Sequence, residues 1–272
     1  MIKASVIISV YNRLDYLELV CAGFKRQTFC DFEIIIADDG SNSRFVSEVE
    51  KLSRQSEFPI IHLWQNDNGF RKNKILNRAI IASNSDYLLF IDGDCIPHKE
   101  FVKEHFDNRE EGICLTGRRV NLSEKMTNQL TTENVKQGFL EREYLRLCID
   151  GIFGNSTDVE KGFYFKNKFI RHYFNKKKRG LLGCNFSLYK KELLAINGFD
   201  ERYVAPSVGE DSDVQFRLEL NNVKIKSLNN IAVQYHLHHK IQPRPEANLS
   251  LFESVKSSKE IFTPYGIKSE LE

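Results

Sequence analysis

Two aspartates separated by one glycine, Asp92 and Asp94, follow the apolar run at residues 87–91. Because glycine lets the backbone bend without steric cost, both carboxylates can approach one hard cation. Mg²⁺ or Mn²⁺ held by few protein oxygens completes its shell with substrate phosphates, where it offsets the charge of a leaving diphosphate. The spacing therefore favours a divalent-metal site for a nucleoside diphosphate compound, with an ordinary Asp-Gly turn as the alternative.

Two further polar clusters have residue types suited to the same ligand. Asp38 and Asp39 end another apolar run and could accept hydrogen bonds from a base or ribose, although Asp-Asp-Gly-Ser is also a common turn with a helix cap. Arg71, Lys72 and Lys74 flank the start of a predicted helix, whose first amides also favour anions. A phosphate site and a solvated basic helix end are both compatible with that pattern.

Alternating strands and helices must position these clusters. Short apolar, β-branched runs alternate with segments whose apolar residues recur every three or four positions. The predicted strands are residues 6–10, 33–37, 60–64 and 87–91, with helices from Leu14, from a cap at Ser41 or Ser43, and over residues 72–82. This alternation predicts an α/β protein with a mostly parallel, doubly wound sheet and helices on both faces. Ligands bind beyond the carboxyl ends of such strands, so we expect the polar clusters to converge on one rim.

After about residue 110 the alternation weakens. We predict a strand at 113–116, mainly helix at 133–148, an irregular stretch at 151–182, a helix ending at Leu220 and a strand at 231–235. The last thirty residues resemble a tail. These changes divide the chain into residues 1–110, 111–240 and 241–272.

Charge is balanced over the 272 residues, with 39 Lys and Arg against 37 Asp and Glu. A net charge of +2 excludes a whole-molecule nucleic-acid footprint. The exception is residues 161–191, where ten basic residues and no acidic ones are interleaved with aromatic residues. This segment could be a solvated loop, a patch facing anionic lipid headgroups, or a lid over a diphosphate substrate. No helix-turn-helix or RNA-recognition signature accompanies it, so nucleic acid is not a predicted partner.

The cysteines are scattered without zinc-type spacing, which indicates reduced, structural thiols. No stretch approaches the roughly 20 apolar residues that span a bilayer. The sequence enters a strand pattern at once, without the pattern of a signal peptide. We therefore expect a cytoplasmic protein, with contact at the inner face of the membrane as an open alternative.

An ordered set of motifs resembles the inverting family 2 glycosyltransferases, whose nucleotide-binding domain has the GT-A fold. The set comprises Val-Ile-Ile-Ser-Val-Tyr-Asn-Arg at 6–13, Gln-Thr-Phe at 27–29, a segment at 33–41 ending in Asp-Asp-Gly-Ser, and Phe-Ile-Asp-Gly-Asp at 90–94. Farther on, residues 198–201 and 209–213 resemble the acceptor half of galactosyltransferase-like members. The resemblance covers residues 4–105, extends to about 240, and implies a GT-A fold with an acceptor-binding C-terminal region.

The resemblance implies a role for each matching residue. Contacts with the nucleotide sugar would come from Val10, Tyr11, Arg13, Asp38, Asp39, Arg71, Asp92 and Gly93, with Asp39 on the uracil. Asp94 would bind Mn²⁺ or Mg²⁺ with support from Asp92. Asp211 would be the general base, and Glu210 a neighbour that binds the acceptor. One base opposite the leaving diphosphate inverts the anomeric centre, with no covalent enzyme intermediate.

The family pattern does not settle two contacts, the one with the phosphate and the one between a histidine and the metal. Many members carry an Arg-Asn pair on the helix after the third strand, whereas this chain has Leu76 and Asn77, which leaves phosphate contact open between Arg71 and Lys74. Gly-Phe-Arg at 69–71 resembles a variant of that region, so Arg71 is the first choice. Related enzymes often add a histidine to the metal from the end of the last strand, where neutral imidazole is a competent ligand. Alternation puts His236 and His238 on one face and His239 on the other. The end of a strand is too irregular for this alternation to decide, and we favour His236 or His238, with a surface histidine cluster as the alternative.

The combined prediction is a metal-dependent inverting transferase that moves a hexosyl residue from a UDP-sugar to a glycan hydroxyl. Galactose or an N-acetylhexosamine is favoured as the sugar, and a lipid-linked intermediate of surface polysaccharide synthesis as the acceptor. One alternative is a sugar-nucleotide-binding scaffold without transferase activity. The other is a sugar nucleotidyltransferase, which should carry a Gly-rich loop where residues 10–13 stand.

Overall fold

The computed structural model describes residues 1–206, 210–240 and 245–270. Gly209 of the predicted 209–213 motif lies outside the described residues, as do 241–244 and 271–272 of the predicted tail. Within the described ranges no helix is both long enough and apolar enough to cross a membrane.

Strands and helices alternate regularly up to residue 92 and less regularly beyond it. The strands are β1 (Ala4–Val10), β2 (Phe32–Asp38), β3 (Ile60–Trp64), β4 (Tyr87–Asp92), β5 (Cys95–Pro97), β6 (Ile113–Thr116), β7 (Arg118–Asn121), β8 (Phe186–Tyr189), β9 (Lys224–Ser227) and β10 (Val233–His236). The helices are α1 (Leu14–Phe24), α2 (Ser43–Arg54), α3 (Lys72–Ala82), α4 (Phe101–Asp107), α5 (Glu124–Thr127), α6 (Thr132–Lys136), α7 (Phe139–Arg142), α8 (Tyr144–Ile152), α9 (Lys168–Phe174), α10 (Lys190–Ala195), α11 (Glu210–Leu220) and α12 (Glu246–Ser258). Short 3-10 helices occupy Val159–Gly162 and Ile267–Glu270.

Seven strands form one sheet in the order β3-β2-β1-β4-β8-β6-β9. The pairs β3/β2, β2/β1, β1/β4 and β6/β9 are parallel, while β8 runs antiparallel to both of its neighbours. The predicted α/β class with a mostly parallel sheet is therefore confirmed. Because β8, β6 and β9 continue the sheet begun by the first four strands, the regions predicted at 1–110 and 111–240 share one sheet.

Apolar layers cover both faces of this sheet. Successive residues of a strand point to opposite faces, so Ile8 packs in the layer that contains α1, and Ile7 in the layer that contains α3 and α11. Burial on both faces explains why β1 is apolar almost throughout rather than alternating with polar residues. Helices on both faces follow from the same pattern.

A smaller three-stranded sheet lies in the order β5-β10-β7. Strand β10 is antiparallel to β5, with His236 opposite Cys95, and parallel to β7. This pairing brings the histidines after residue 235 back to the turn that carries Asp94.

The cap of α2 and the C-terminal residues differ from the prediction. The cap of α2 is Asn42 rather than Ser41 or Ser43, because the Asn42 side chain accepts a hydrogen bond from the Phe45 amide. Residues 245–270 were expected to be a tail, but they form α12 and a 3-10 helix whose Ile267 is buried in the layer beside α3. Thr263 also donates a hydrogen bond of 2.7 Å to Asp200.

His105 of α4 is buried against β8 and supplies a pH-dependent term in stability. Its Nδ1 lies 2.7 Å from Ser187 Oγ and its Nε2 lies 3.0 Å from Asn185 Oδ1. Burial lowers the pKa of His105 to about 4, against about 6.5 for an unfolded chain. The native state thus favours the neutral ring, so this contribution is complete above pH 6.5 and is lost as pH falls towards 4.

We expect wild-type protein to lose about 3 kcal/mol more of its unfolding free energy between pH 6.5 and pH 4 than His105→Gln loses. Urea denaturation at a series of pH values measures this difference. His172→Gln, at an exposed position of α9, is the matched control and should follow the wild-type curve. Parallel curves for wild type and His105→Gln would contradict the assignment.

Candidate active site

A cleft of about 560 Å³ opens at the carboxyl ends of β1, β2 and β4. Its lining includes residues from the three polar clusters that were predicted to converge, and residues that directly follow β1. Seven predicted site residues line it: Val10, Tyr11, Arg13, Asp39, Asp92, Gly93 and Asp94. Lys72, from the predicted basic helix start, His239, which was not the favoured histidine, and Lys240, which was not predicted, line it as well.

The two neighbouring aspartates at the end of β2 face different environments. Asp39 lines the cleft, where it accepts hydrogen bonds from Gln65 Nε2 at 2.6 Å and from the Arg71 amide at 2.8 Å. Burial raises the pKa of Asp39, and these two donors oppose that effect. Asp38 is fully buried, accepts a bond from the Ser41 amide and lies 3.0 Å from His62 Nε2. The structure therefore does not bring Asp38 to the nucleotide-sugar contacts predicted for it.

Lys72, rather than Arg71, presents its charge to the cleft. The Arg71 guanidinium donates to the Asn66 carbonyl and is not part of the cleft lining. Lys72 Nζ lies 2.9 Å from Asp92 Oδ1 and 3.1 Å from Glu210 Oε1. Burial alone would lower the pKa of Lys72, but the two carboxylates outweigh it and raise that pKa well above its ordinary value. Lys72 thus stays charged and joins the end of β4 to the start of α11.

Two hydrogen bonds connect the turn after β4 to the end of β1. Asp92 Oδ1 accepts a bond of 2.6 Å from Ser9 Oγ, and the Gly93 amide donates to the Ser9 carbonyl at 2.8 Å. A Cβ atom on residue 93 would lie only 2.7 Å from Val10 Cγ1, so this close approach requires glycine. The tight turn directs Asp94 away from β1 and towards β10.

Asp94 and two histidines form the corner of the cleft where a cation could bind. Asp94 Oδ2 lies 3.5 Å from His236 Nε2 and 3.2 Å from His239 Nε2. Burial would raise the pKa of Asp94, but hydrogen bonding to these imidazoles lowers it well below its usual range. Asp94 is therefore an ionised carboxylate beside two imidazole nitrogens.

The donor atoms at this corner fit the predicted metal. Ligand atoms of Asp94, Cys95 and His236 all lie within 4.8 Å of one another. Burial raises the pKa of Cys95 well above its ordinary value, and its thiol donates to Asp94 Oδ1 at 3.3 Å. The Asp94 carboxylate and an imidazole are the donors that need not lose a thiol proton to bind a metal. That pair suits Mn²⁺ better than Mg²⁺, which prefers oxygen ligands alone.

The structure corrects the choice between the histidines. His238 is exposed and outside the cleft lining, its amide donates to Thr127 Oγ1, and its carbonyl accepts from Tyr16. His239, which alternation had placed on the opposite face, lies beside Asp94 together with His236. The reason is that β10 ends at His236, so the alternation of an extended strand does not continue through the next three residues.

The predicted base and its neighbour lie in the first turn of α11. Asp211 accepts bonds from the Gly183 amide at 3.2 Å and from the Ser212 amide at 2.8 Å. Glu210 holds Lys72 with Oε1, while its buried Oε2 has no hydrogen-bond partner among the described residues. Burial raises the pKa of Glu210 although Lys72 opposes the shift. Neither carboxylate lines the cleft itself, and the Lys72 bridge connects Glu210 to it.

The fold is an α/β fold with an acidic cleft at the carboxyl ends of its parallel strands, and sequence comparison assigns the chain to a family. Residues 5–193 match the family model Glycosyl transferase family 2, and residues 165–240 match the model N-terminal domain of galactosyltransferase. The first match covers more than half of the chain, so this protein belongs to glycosyl transferase family 2. The resemblance predicted from the motifs is confirmed.

Among particular relatives, the chondroitin synthase of Escherichia coli is 25% identical over 242 residues, covering 85% of this chain and 34% of the relative. The GalNAc(5)-diNAcBac-PP-undecaprenol beta-1,3-glucosyltransferase of Campylobacter jejuni is 27% identical over 154 residues, covering 53% of this chain and 49% of the relative. The structure of residues 1–349 of Staphylococcus aureus TarS in complex with UDP-GlcNAc aligns with a TM-score of 0.56 at 18% identity, covering 89% of this chain and 60% of that one. This structural likeness confirms the predicted fold. The chain spans only about a third or less of its first curated relatives.

The contrast between Asp39 and Asp38 can be measured with one conservative change at each position. We expect Asp39→Asn to weaken UDP binding by about tenfold or more, because it replaces a carboxylate oxygen in the cleft with an amide. Asp38→Asn is the matched control and should keep the affinity for UDP within about twofold, since its side chain faces Ser41 and His62. Calorimetric titration measures both. Equal losses of affinity would contradict the division of roles.

Proposed function

We propose that this protein is a metal-dependent inverting glycosyltransferase that moves a hexosyl residue from a UDP-sugar to a hydroxyl of a glycan. The observation that carries the proposal is the Lys72 bridge, which joins the Asp92 and Asp94 turn to the Glu210 and Asp211 pair. The turn with Asp92 and Asp94 is suited to binding a diphosphate. The carboxylates of Glu210 and Asp211 are suited to binding a hydroxyl group.

The cleft has the groups needed for a uridine nucleotide. The uracil N3–H is a donor, and the Asp39 carboxylate is an acceptor held in place by Gln65 and the Arg71 amide. Cytosine has an acceptor at the same ring position, so a carboxylate there favours uracil. The ring of Tyr11 is half exposed at the cleft, its hydroxyl donates to Asp67, and its face is open to a stacked base. The solved complexes of TarS with UDP and UDP-GlcNAc support this donor class.

The diphosphate would lie between the Asp94 corner and Lys72. Mn²⁺ held by Asp94 and an imidazole of His236 or His239 would supply positive charge to the leaving diphosphate. Lys72 and Lys240 line the same cleft and add two further cationic side chains. Lys72 is held between two carboxylates, so it is oriented before substrate binds.

Asp211 is the proposed general base. It takes the proton of the acceptor hydroxyl while that oxygen forms a bond to the anomeric carbon and the bond from this carbon to the diphosphate oxygen breaks. The electron pair leaves with the diphosphate, and a single displacement from the opposite side inverts the anomeric centre. The Gly183 and Ser212 amides orient the Asp211 carboxylate, and Glu210, held by Lys72 in the same turn of α11, is the proposed residue that binds the acceptor.

For the sugar we propose galactose or an N-acetylhexosamine, and for the acceptor a lipid-linked intermediate of surface polysaccharide synthesis. The match of residues 165–240 to a galactosyltransferase domain supports the proposed sugar. The relative that acts on an undecaprenol-linked saccharide, by its name, supports the proposed lipid-linked acceptor. A sugar nucleotidyltransferase is disfavoured, because only Tyr11, Asn12 and Arg13 separate β1 from α1, where a phosphate-cradling Gly-rich loop would be needed.

Two variants separate donor binding from transfer. We expect Asp94→Ala to lose the Mn²⁺-dependent gain in UDP affinity. Asp211→Asn should keep UDP affinity within about twofold and lower transfer by about 10²- to 10⁴-fold, the usual contribution of a general base. Calorimetry with UDP and release of UDP from a panel of UDP-sugars measure the two effects.

Ser212→Ala is the matched control, since it leaves both carboxylates and the Ser212 amide in place. It should retain both donor binding and transfer. Equal loss of UDP affinity in Asp94→Ala and Asp211→Asn would overturn the assigned roles. Wild-type protein that binds UDP but transfers no sugar to any acceptor would instead support the scaffold alternative.

A further inference from the structure

Helix α8 exposes a stripe of large apolar side chains. Leu145, Ile149, Ile152 and Phe153 follow one another at helical spacing and are all exposed, while Leu147 of the same helix is buried. An apolar stripe of this kind normally faces a core or a partner surface. Here the buried side of α8 already packs on the protein, so the exposed stripe is a second apolar face.

Helix α9 exposes an equally apolar surface. Phe169, Ile170, Tyr173 and Phe174 are exposed, and none of the seven residues of α9 is buried. The helix is held from beneath by Arg171, whose guanidinium pairs with Glu104 and also contacts Tyr164. Because the attachment is polar and lies on the inner side, the apolar side chains of α9 are left outside.

A chain of aromatic ring contacts connects the two helices. Aromatic rings lead from α8 to α9 with centroid separations of 4.3 Å for Tyr144 and Phe163, 6.5 Å for Phe163 and Phe165, and 5.0 Å for Phe165 and Phe174. The exposed apolar side chains of α8 and α9, together with Phe153 and Phe163, are called the aromatic face below. Between 42% and 87% of each of these residues is exposed. Exposed large apolar side chains gathered on neighbouring helices mark an interaction site.

Basic residues lie beside the aromatic face and favour an anionic surface as its partner. Lys166, Lys168, Lys176 and Lys177 are exposed within a segment, residues 161–191, that contains no acidic residue. A second copy of the chain would bring these like charges together. An anionic bilayer attracts them, with each basic side chain at the surface strengthening binding about fivefold, and aromatic side chains anchor at its interface.

We propose that the aromatic face docks on the anionic leaflet of a membrane. The same segment continues through Gly180, whose carbonyl accepts a bond from Arg118, to Gly183, whose amide holds Asp211. The docking segment and the segment that holds the proposed base are thus consecutive in the chain. The inference deepens the proposed function, since a lipid-linked acceptor would be met where its lipid resides.

Vesicle co-sedimentation of the full chain tests the proposal. We expect binding to vesicles of phosphatidylcholine with phosphatidylglycerol, little binding to phosphatidylcholine alone, and release by salt. The pairs Ile152→Ser with Phe153→Ser, and Phe169→Ser with Tyr173→Ser, should each reduce binding about tenfold or more. Leu194→Ser changes an exposed leucine of α10 outside the aromatic face and should bind like wild type.

Absence of vesicle binding by wild type, or equal binding by the paired variants, would overturn the proposal. So would dimers of wild type in analytical ultracentrifugation that the paired variants abolish, because a second copy would then cover the face. UDP affinity is measured on the same samples and should be unchanged in every variant. If vesicles bind but UDP does not, the transferase proposal fails and the docking surface stands.

Discussion

The parallel register of β1, β2 and β4 is the constraint on which the site depends. Ser9 pairs with Asp92 and Val10 pairs with Asp38, so the three strands end at the same level. Backbone bonds extend this register into the turns, with the Asp39 amide donating to the Val10 carbonyl and the Gly93 amide donating to the Ser9 carbonyl. Both acidic turns are therefore placed by a sheet that is buried on both faces and cannot slip without exposing its apolar residues.

The Lys72 bridge connects this rigid rim to the later part of the chain. Its two carboxylate partners come from β4 and α11, separated by more than a hundred residues in sequence. This partly buried ammonium is stabilised there by both carboxylates, so removing either one would leave the other and Lys72 less well paired. A diphosphate that enters the cleft meets Lys72, and Lys72 also holds Glu210 beside the proposed base. In the proposed function, one side chain would therefore link donor binding to the position of the acceptor carboxylates.

Much of the fold and part of the site could be predicted from the sequence because they depend on local periodicity. The first four strands, their helices and the convergence of Asp39, Asp92 and Asp94 follow from apolar runs and strand ends. The errors concern side chains whose direction is set by distant contacts. Asp38 turns to His62, and His239 reaches Asp94 only because the chain after β10 bends back over the cleft. Ile267 is buried by contact with α3, almost two hundred residues away, which no pattern within residues 241–272 indicates.

The central claim is that the Asp94 corner holds a divalent cation that binds the diphosphate of the donor. Crystals grown with UDP and Mn²⁺, measured at the manganese absorption edge, locate that ion by its anomalous scattering. We expect one anomalous peak, at a manganese ion coordinated by the Asp94 carboxylate, by an imidazole of His236 or His239 and by the diphosphate. The uracil should lie against Asp39. UDP bound in the cleft with no manganese at Asp94, or with manganese only at another place, would contradict it.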